Sequence, residues 1–195
     1  MSTMSTTTAI IDPAEFVRSY TEAKYWKEIR SWNEAEAPED LIDVLRVLKA
    51  PKIAFVEVVV ALAEEVFPTF KKKHPKDLRP RQAIDAAKAW FKDQTETNTN
   101  AVRVAAIAAN RAAHDCAARA DCAAQAATDS AYVAGNAASI TAYIDDVEYP
   151  VAYSTVVSYA CIATSNAIRA GLSVECAMDI IRKAGHKRFA FLRLD

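Results

Sequence analysis

The chain has 195 residues, with only three glycines and seven prolines, and its 24 lysines and arginines nearly balance 25 acidic residues. So few glycines exclude an all-β fold, which needs glycine in its many tight turns. A net charge of −1 excludes recognition of nucleic acid or of an anionic membrane by overall charge, so a charged partner must be recognised locally.

The polar opening MSTMSTTTAI carries neither the basic nor the apolar region of a signal peptide, so we expect a cytoplasmic protein. The longest apolar run, Ile53–Ala63, contains Glu57 and is too short to span a bilayer. The cysteines form no Cys-x-x-Cys pair, so we expect buried free thiols rather than zinc ligands, and no cofactor. These cysteines are Cys116, Cys122, Cys161 and Cys176.

Three helices are predicted in the first part of the chain. The first begins after Asp12, which has the position of an N-cap before a proline, and runs to about residue 31 with Trp26 among its packing residues. The second covers about 38–50, and the third covers about 52–67 and ends at Pro68. The third is apolar on most sides, so we expect it near the centre of the core. The packing residues of the second are Leu41, Val44, Leu45 and Leu48.

The segment His74–Trp90 reads HPKDLRPRQAIDAAKAW and opens a helix predicted over about 80–93. Its N-cap is Arg79 or Asp77. A helix N-terminus carries partial positive charge, so two arginines there require a nearby anion. The apolar face is expected to carry Ala83, Ile84, Ala87, Trp90 and Phe91, and the polar face Arg81, Asp85, Lys88 and Lys92.

Three explanations account for this pair of arginines. Asp77 or Asp85 can pair internally with Arg79 and Arg81 and fix the loop, which is the interpretation we favour. Alternatively, arginine side chains and helix N–H groups can bind a small anion. The third explanation is an acidic patch on a partner protein.

Alanine dominates the next part of the chain and makes up nearly half of residues 101–138. A helix is predicted over about 101–127, with a seam of small residues that lets a neighbouring helix approach closely. A second helix is expected from Asp129 or Ser130 to about residue 144, and a third over 151–170 that ends at Gly171. The last helix starts at Ser173 and ends near residue 185, and the tail that follows fits a strand or a docked coil. The seam consists of Ala105, Ala108, Ala112, Cys116, Ala120, Ala123 and Ala127.

These elements predict an all-α protein, a bundle of about seven or eight helices with alanine-rich, close-packed central helices. On the alanine-rich helix, Asn110, His114 and Asp121 share one face, and we expect His114 to be a core histidine with a hydrogen bond. No catalytic motif and no metal-ligand spacing occurs in the sequence. The candidate residues for binding a ligand or partner are His74, Asp77, Arg79, Arg81, Asp85, Lys88 and His114.

The arginine segment, followed by AVRVAAIAANRAAHDCA and ATDSAYVAGNAASITAYI, resembles the fifth numbered family of immunity proteins from bacterial polymorphic-toxin systems. Its most specific part is a D-x-R-P-R-x-A-I run that starts at Asp77, and the resemblance covers about residues 60–171. Members tend to carry further histidines where this chain has Tyr132 and Asn136. The resemblance divides the chain into an N-terminal helical elaboration, 1–50, and an immunity-protein-like helical domain, 51–195.

The resemblance implies a cytoplasmic, all-α protein that neutralises a cognate toxin by direct binding, without catalysis. The arginine segment would bind an acidic surface of the toxin or brace the surface that does, with Trp26, Trp32 and Trp90 as candidate anchors, although Trp90 is expected to face the core. A second hypothesis is a small-molecule binder for a phosphate or nucleotide signal, such as a phage-encoded anti-defence sponge. A third is an enzyme in which His114 pairs with an aspartate.

Overall fold

The computed structural model describes residues 26–118, 121–143, 149–189 and 192, and eight α-helices make up its regular structure there. The predicted all-α bundle of seven or eight helices is therefore confirmed. Most of the helix predicted from Asp12 lies outside the described residues, as do residues 190, 191 and 193–195 of the tail, whereas tail residues 186–188 belong to the last helix and are neither strand nor coil. In chain order the helices are α1 (Trp26–Asn33), α2 (Pro38–Val47), α3 (Lys52–Lys73), α4 (Arg79–Lys92), α5 (Glu96–Ala117), α6 (Cys122–Tyr143), α7 (Tyr149–Arg169) and α8 (Val174–Arg188).

Two helices, α3 and α6, pack against each other at the centre of the bundle. Helix α3 also contacts α4, α7 and α8, and α6 also contacts α4, α5 and α7. The central position of α3 follows from its sequence, because apolar residues cover most of its surface. Its buried residues are Ala54, Phe55, Val56, Val58, Val59, Val60, Leu62, Ala63, Val66, Phe67 and Phe70.

The predicted end of the third helix at Pro68 is wrong, because α3 continues to Lys73 with the proline inside it. A proline within a helix removes one backbone donor and crowds the carbonyl of the residue four positions earlier. Continuing the helix nevertheless buries Phe70, which is 1% exposed, and lets the His74 N–H donate to the Phe70 carbonyl at 2.9 Å. Burial of an aromatic side chain contributes about 2 kcal/mol, which offsets much of the cost of the proline.

The helix predicted over 101–127 is also wrong, because two helices meet within that range. Helix α5 begins earlier, where the Thr95 hydroxyl accepts a hydrogen bond from the Asn98 N–H at 3.3 Å. Helix α6 begins at Cys122, and the Asp121 carboxylate accepts a hydrogen bond from the Ala124 N–H at 3.1 Å. Asp121 therefore does not share a helical face with Asn110 and His114. The predicted start at Asp129 or Ser130 falls inside α6.

Close packing of small residues between α5 and α6 is confirmed. A Cβ atom placed on Gly135 of α6 would lie 2.6 Å from the Ala106 Cβ and 3.2 Å from the Ala106 Cα, so the two helix backbones are in direct contact. The buried stripe of α5 includes Val102, Ala106, Ala109 and Ala113, shifted from the predicted seam, of which Ala112 and Cys116 are also buried.

Helices α1, α2 and α8 form a second layer around Trp32. The indole N–H of Trp32 donates to Nε2 of His186 at 3.2 Å, and Gly185 lies directly against the indole ring. Trp32 is 1% exposed, so its proposed role as an anchor for a partner is wrong, and Trp90 faces the core as predicted. Trp26 is 64% exposed and does not pack as expected. The core includes residues of α1 and α2, and the division at residue 50 stays a prediction.

The C-terminal half contains two helix boundaries that the sequence predicts well. Gly171 follows α7 with a φ of +106°, the left-handed conformation expected of a C-terminal cap. The Ser173 hydroxyl caps α8 by accepting a hydrogen bond from the Cys176 N–H at 3.2 Å, and α8 continues to Arg188. None of the helices in the described ranges is long and apolar enough to cross a membrane.

Candidate functional site

A short connection, residues 74–78, joins α3 to α4 and is held in place by Arg79. The guanidinium group of Arg79 donates to the Asp77 carboxylate, with Nη2 to Oδ2 at 2.6 Å and Nε to Oδ1 at 3.0 Å. The same Nη2 donates to Oδ2 of Asp115 on α5 at 2.7 Å. We call residues 74–78 the clamped loop, because these contacts tie it to the ends of two helices.

The charges of this cluster stabilise one another. Hydrogen bonds from the Arg79 side chain hold the pKa of Asp77 below its usual value, against the effect of partial burial. In turn, hydrogen bonds to Asp77 and Asp115 raise the pKa of Arg79. Two carboxylates surround one guanidinium group, so the cluster carries a net charge of −1.

Arg81 is held separately, on the side of α4 that faces α3. Its Nε donates to Oδ2 of Asp85 at 2.9 Å and its Nη1 donates to Oε2 of Glu64 at 3.0 Å. Its guanidinium carbon lies 5.7 Å from the centre of the Phe67 ring, and Lys88 pairs with Glu64 as well. Both internal pairs that the sequence suggested, Arg79 with Asp77 and Arg81 with Asp85, are therefore present.

Five further side chains meet where the clamped loop leaves α3. The His74 ring stacks on Phe70, and its Nε2 lies 3.7 Å from the Cys116 Sγ and 3.8 Å from an Asp121 oxygen. Lys73 donates to the other Asp121 oxygen at 2.6 Å, which lowers the pKa of Asp121. The loop is thus tied at both ends, by Arg79 at one and by His74 at the other.

A cleft of about 680 Å³ opens between the clamped loop and α5. Neither Arg81 nor His114 lines it, so the structure does not bring all the predicted site residues together. Arg81, Asp85 and Lys88 form one group and His74, Asp77 and Arg79 another. Besides the loop residues His74, Pro75, Lys76, Asp77 and Leu78, the lining residues are Arg79, Gln82, Ala112, Asp115 and Cys116.

The clamped loop carries exposed apolar residues, with lysines in it and next to it. Leu78 is 55% exposed, and Pro75 is exposed as well. Lys71 and Lys72 end α3 next to the loop, and Lys76 lies within it. Within the described ranges no acidic side chain pairs with these three lysines, so the loop and the end of α3 carry unpaired positive charge.

Two predictions about single side chains near this site are wrong. His114 is exposed rather than buried in the core, because it lies on the side of α5 away from Ala106 and Ala109. The four cysteines are free, but only Cys116 is buried, Cys161 and Cys176 are partly buried, and Cys122 is exposed at the start of α6. Among the described residues, no group of three or more histidine, cysteine or acidic side chains could hold a metal ion.

The sequence did not identify Glu64, Lys73, Asp115 or Cys116 as parts of the site. Asp115 lies on α5, but its ion-pair partner lies on a different helix. In the structure it pairs with Arg79, 36 residues earlier in the chain. Such contacts depend on how α4 and α5 pack, and no local spacing in the sequence reveals them.

The fold and this site define an all-α bundle in which ion pairs fix one exposed interhelical loop. A model of the family described as "Imm-5 like putative immunity protein" matches residues 47–147, which is 101 of the 195 residues. The chain belongs to this immunity-protein family, which confirms the resemblance found in the sequence. Comparison with curated proteins and with solved structures finds no match.

The paired carboxylates predict a loss of stability in acid. The pKa values of Asp77, Asp85, Asp121 and Glu64 all lie below the ordinary values of 3.8 for aspartate and 4.5 for glutamate, because cationic partners hydrogen-bond them. A carboxylate with a lowered folded-state pKa stabilises the fold above its unfolded-state pKa, and that contribution is lost as the pH falls through the folded-state pKa. The midpoint of urea unfolding should therefore stay level from pH 7 to 5 and fall below pH 4.

The variant Asp85→Asn tests whether these paired carboxylates cause the loss of stability in acid. Asp85→Asn removes one titrating carboxylate from the Arg81 cluster, so the variant should be less stable at pH 7 and should lose less stability on acidification. Asp129 differs from the four, because burial raises its pKa. A midpoint that remains unchanged between pH 5 and pH 3 would contradict the assignment of these pairs as stabilising.

Proposed function

We propose that the protein neutralises a toxin by direct binding, without catalysis, and that the clamped loop is the centre of the binding surface. The observation that supports this most directly is the exposed Leu78 in a loop that is held at both ends, by the Arg79–Asp77 ion pair and by the contact of His74 with Cys116. Membership of an immunity-protein family makes a toxin the expected partner.

A fixed loop is suited to tight binding. Association costs entropy for each segment that becomes ordered, and a loop that is already ordered avoids that cost. Asp77 accepts hydrogen bonds from both the backbone N–H and the side chain of Arg79, so backbone and side-chain contacts hold the same turn. An apolar residue presented in this way can enter a pocket on the partner as an anchor, with the polar border excluding water.

The charges beside the loop favour a partner with an acidic surface. Lys71 and Lys72 end α3 just before the loop and Lys76 lies within it, and none of them has an acidic partner in the described part of the chain. Charges at the border of an interface mainly increase the association rate and select the partner, while the apolar centre supplies most of the affinity. In this proposal the arginines brace the binding surface rather than contact the toxin themselves.

The contacts give less support to a small anionic ligand. Asp77 and Asp115 line the cleft, and both are paired with Arg79. A phosphate group in the cleft would have to displace one carboxylate and remain close to the other, which like-charge repulsion opposes. An absence of any shift in melting temperature with millimolar phosphate or nucleotide would agree with a protein partner.

Cytoplasmic location is also part of the proposal, and fractionation of cells that produce the protein tests it.

Leu78→Asp should abolish neutralisation while leaving the fold intact. The leucine is more than half exposed, so the substitution removes little core packing, but it places a negative charge where an acidic partner would dock. We expect the dissociation constant for the cognate toxin domain, measured by calorimetry, to rise at least 100-fold, equivalent to about 2.7 kcal/mol. Growth of cells that co-express the two proteins should fail in parallel.

Ile162→Asp provides the matched control. Ile162 is 47% exposed on α7, and the described part of α7 contacts neither α4 nor α5. This variant should bind the toxin domain as tightly as the unmodified protein does. Unchanged binding by Leu78→Asp would show that the clamped loop is not the centre of the interface. A toxin domain that is neutralised without forming any complex would refute the proposal of direct binding.

A further inference from the structure

A cysteine and a histidine that line the cleft lie beside an aspartate. The Cys116 Sγ lies 3.7 Å from Nε2 of His74, and the same nitrogen lies 3.8 Å from Oδ2 of Asp121. The imidazole ring stacks on Phe70 with 5.0 Å between ring centres. The thiol therefore faces a base whose orientation is fixed by an aromatic ring and by neighbours from two other segments.

Cys116 is reached through the cleft rather than from the outer surface. The residue is 2% exposed, yet it lines the cavity of about 680 Å³ together with His74. Cavities of roughly 300–1,000 Å³ accept small molecules. A thiol buried in an apolar core is inert, whereas a thiol beside a proton acceptor and cationic groups can react as the thiolate. Cys116 lies beside a proton acceptor, His74, and near cationic groups, so its thiol is of the reactive type.

The charged groups around this thiol come from every neighbouring segment. Lys73 on α3 pairs with Asp121, which precedes α6, with 2.6 Å between Nζ and Oδ1. Arg79 on α4 pairs with Asp77 in the loop and with Asp115 on α5. In the described part of the chain, Asp77, Asp115 and Asp121, which would oppose a negative charge on sulfur, are thus each paired with a cation.

We propose that Cys116 is a thiol modification site that reacts with small organic disulfides entering the cleft, with His74 as its base. The geometry that supports this is the thiol–imidazole contact at the wall of an open cavity. None of the other three cysteines lies on this cavity, and in the described structure none has a histidine contact of this kind. The proposal concerns the chemistry of the cleft and does not depend on toxin binding.

The reaction is a thiol–disulfide exchange. His74 Nε2 takes the proton from Cys116, and the thiolate attacks one sulfur of the disulfide, forming a new S–S bond as the old one breaks. The departing thiolate takes the proton from His74 and leaves as a thiol. Cys116 is oxidised and the disulfide is reduced, so no other oxidant is required.

Modification would change the cleft beneath the clamped loop. An adduct on Sγ occupies the space between α5 and the loop, and it removes the contact that ties His74 to α5. We therefore expect the adduct to loosen the His74 end of the loop while the Arg79 end remains held by Asp77 and Asp115.

The test is a time course of the folded protein with glutathione disulfide at pH 7, with each cysteine followed by peptide mass mapping. Cys116 should be modified faster than Cys161 and Cys176, although those two are more exposed. His74→Gln should slow modification of Cys116 at least tenfold, while the exposed Cys122 changes less than twofold and serves as the internal reference.

Two outcomes would overturn the proposal. One is modification of Cys116 more slowly than Cys161 and Cys176, which is the order that burial alone predicts. The other is a Cys116 rate that is the same in His74→Gln as in the unmodified protein. Iodoacetamide, a smaller reagent, provides a second measurement that needs no substitution, and with it Cys116 must again precede Cys161 and Cys176.

Discussion

Gly135→Ala is expected to lower the free energy of unfolding by about 2–3 kcal/mol, the largest loss of stability that we predict for a single methyl group. The new Cβ would lie 2.6 Å from the Ala106 Cβ and 3.2 Å from the Ala106 Cα. Backbone atoms cannot move aside as a flexible side chain does, so α5 and α6 would have to separate. The better helix propensity of alanine, about 1 kcal/mol, offsets only part of this cost.

The measurement is urea unfolding of the variant, with Ala106→Gly used to test the cause. If the two Cβ atoms collide, the double variant Ala106→Gly/Gly135→Ala should be more stable than the sum of the two single effects by at least about 1 kcal/mol. Gly171→Ala is the matched control, because Gly171 has a φ of +106° and no neighbour within 4 Å of a new Cβ. Its cost of about 1 kcal/mol comes from the backbone alone and should not respond to Ala106→Gly. A Gly135→Ala variant within 0.5 kcal/mol of the unmodified protein would contradict such close packing.

The sequence was most informative where apolar periodicity and local caps agree. Helix α4 begins and ends within one residue of its predicted bounds, because Pro80 marks its first turn and apolar residues recur on one face. The glycine cap at Gly171 and the serine cap at Ser173 were found for the same reason. Each of these signals acts within a few residues, so one sequence is enough to recognise it.

The sequence was least informative in the alanine-rich region, where every face of a helix looks alike. No hydrophobic contrast marked the break between α5 and α6, and the Asp121 cap was not recognised among alanines. The continuation of α3 past Pro68 could not be predicted either, because burial of Phe70 against the rest of the bundle favours it. At both positions, tertiary packing outweighs the local conformational preferences of the sequence.

The candidate site was predicted in part. The pairing of arginines with Asp77 and Asp85 follows from charge at a helix N-terminus and from spacing along one helix. The partners from other helices, Glu64 and Asp115, are 17 and 36 residues away along the chain. Their roles follow from the packing of α3 and α5 against α4, which only the folded structure defines.

Arg79→Ala is expected to remove toxin binding and to cost about 1–2 kcal/mol of stability, the range for a partly exposed charged hydrogen-bond cluster. The substitution breaks the contacts to Asp77 and Asp115 and leaves two carboxylates without their cation. The clamped loop then loses one of its two attachments to α5, so the end that carries Leu78 must be ordered again on binding. We expect the dissociation constant for the toxin domain to rise more than tenfold, measured by calorimetry alongside urea unfolding.

Arg81→Ala separates loss of the clamp from general loss of stability. Arg81 makes a comparable set of contacts, to Glu64 and Asp85, but they tie α4 to α3 and leave the clamped loop intact. This variant should be destabilised to a similar degree and should still bind the toxin domain. If both variants lose binding equally, the cause is their lower stability and not the loss of the Arg79 contacts. Full binding by Arg79→Ala would show that the loop keeps its shape without the Arg79 contacts. The contacts of His74 would then be the ones that hold Leu78 in position.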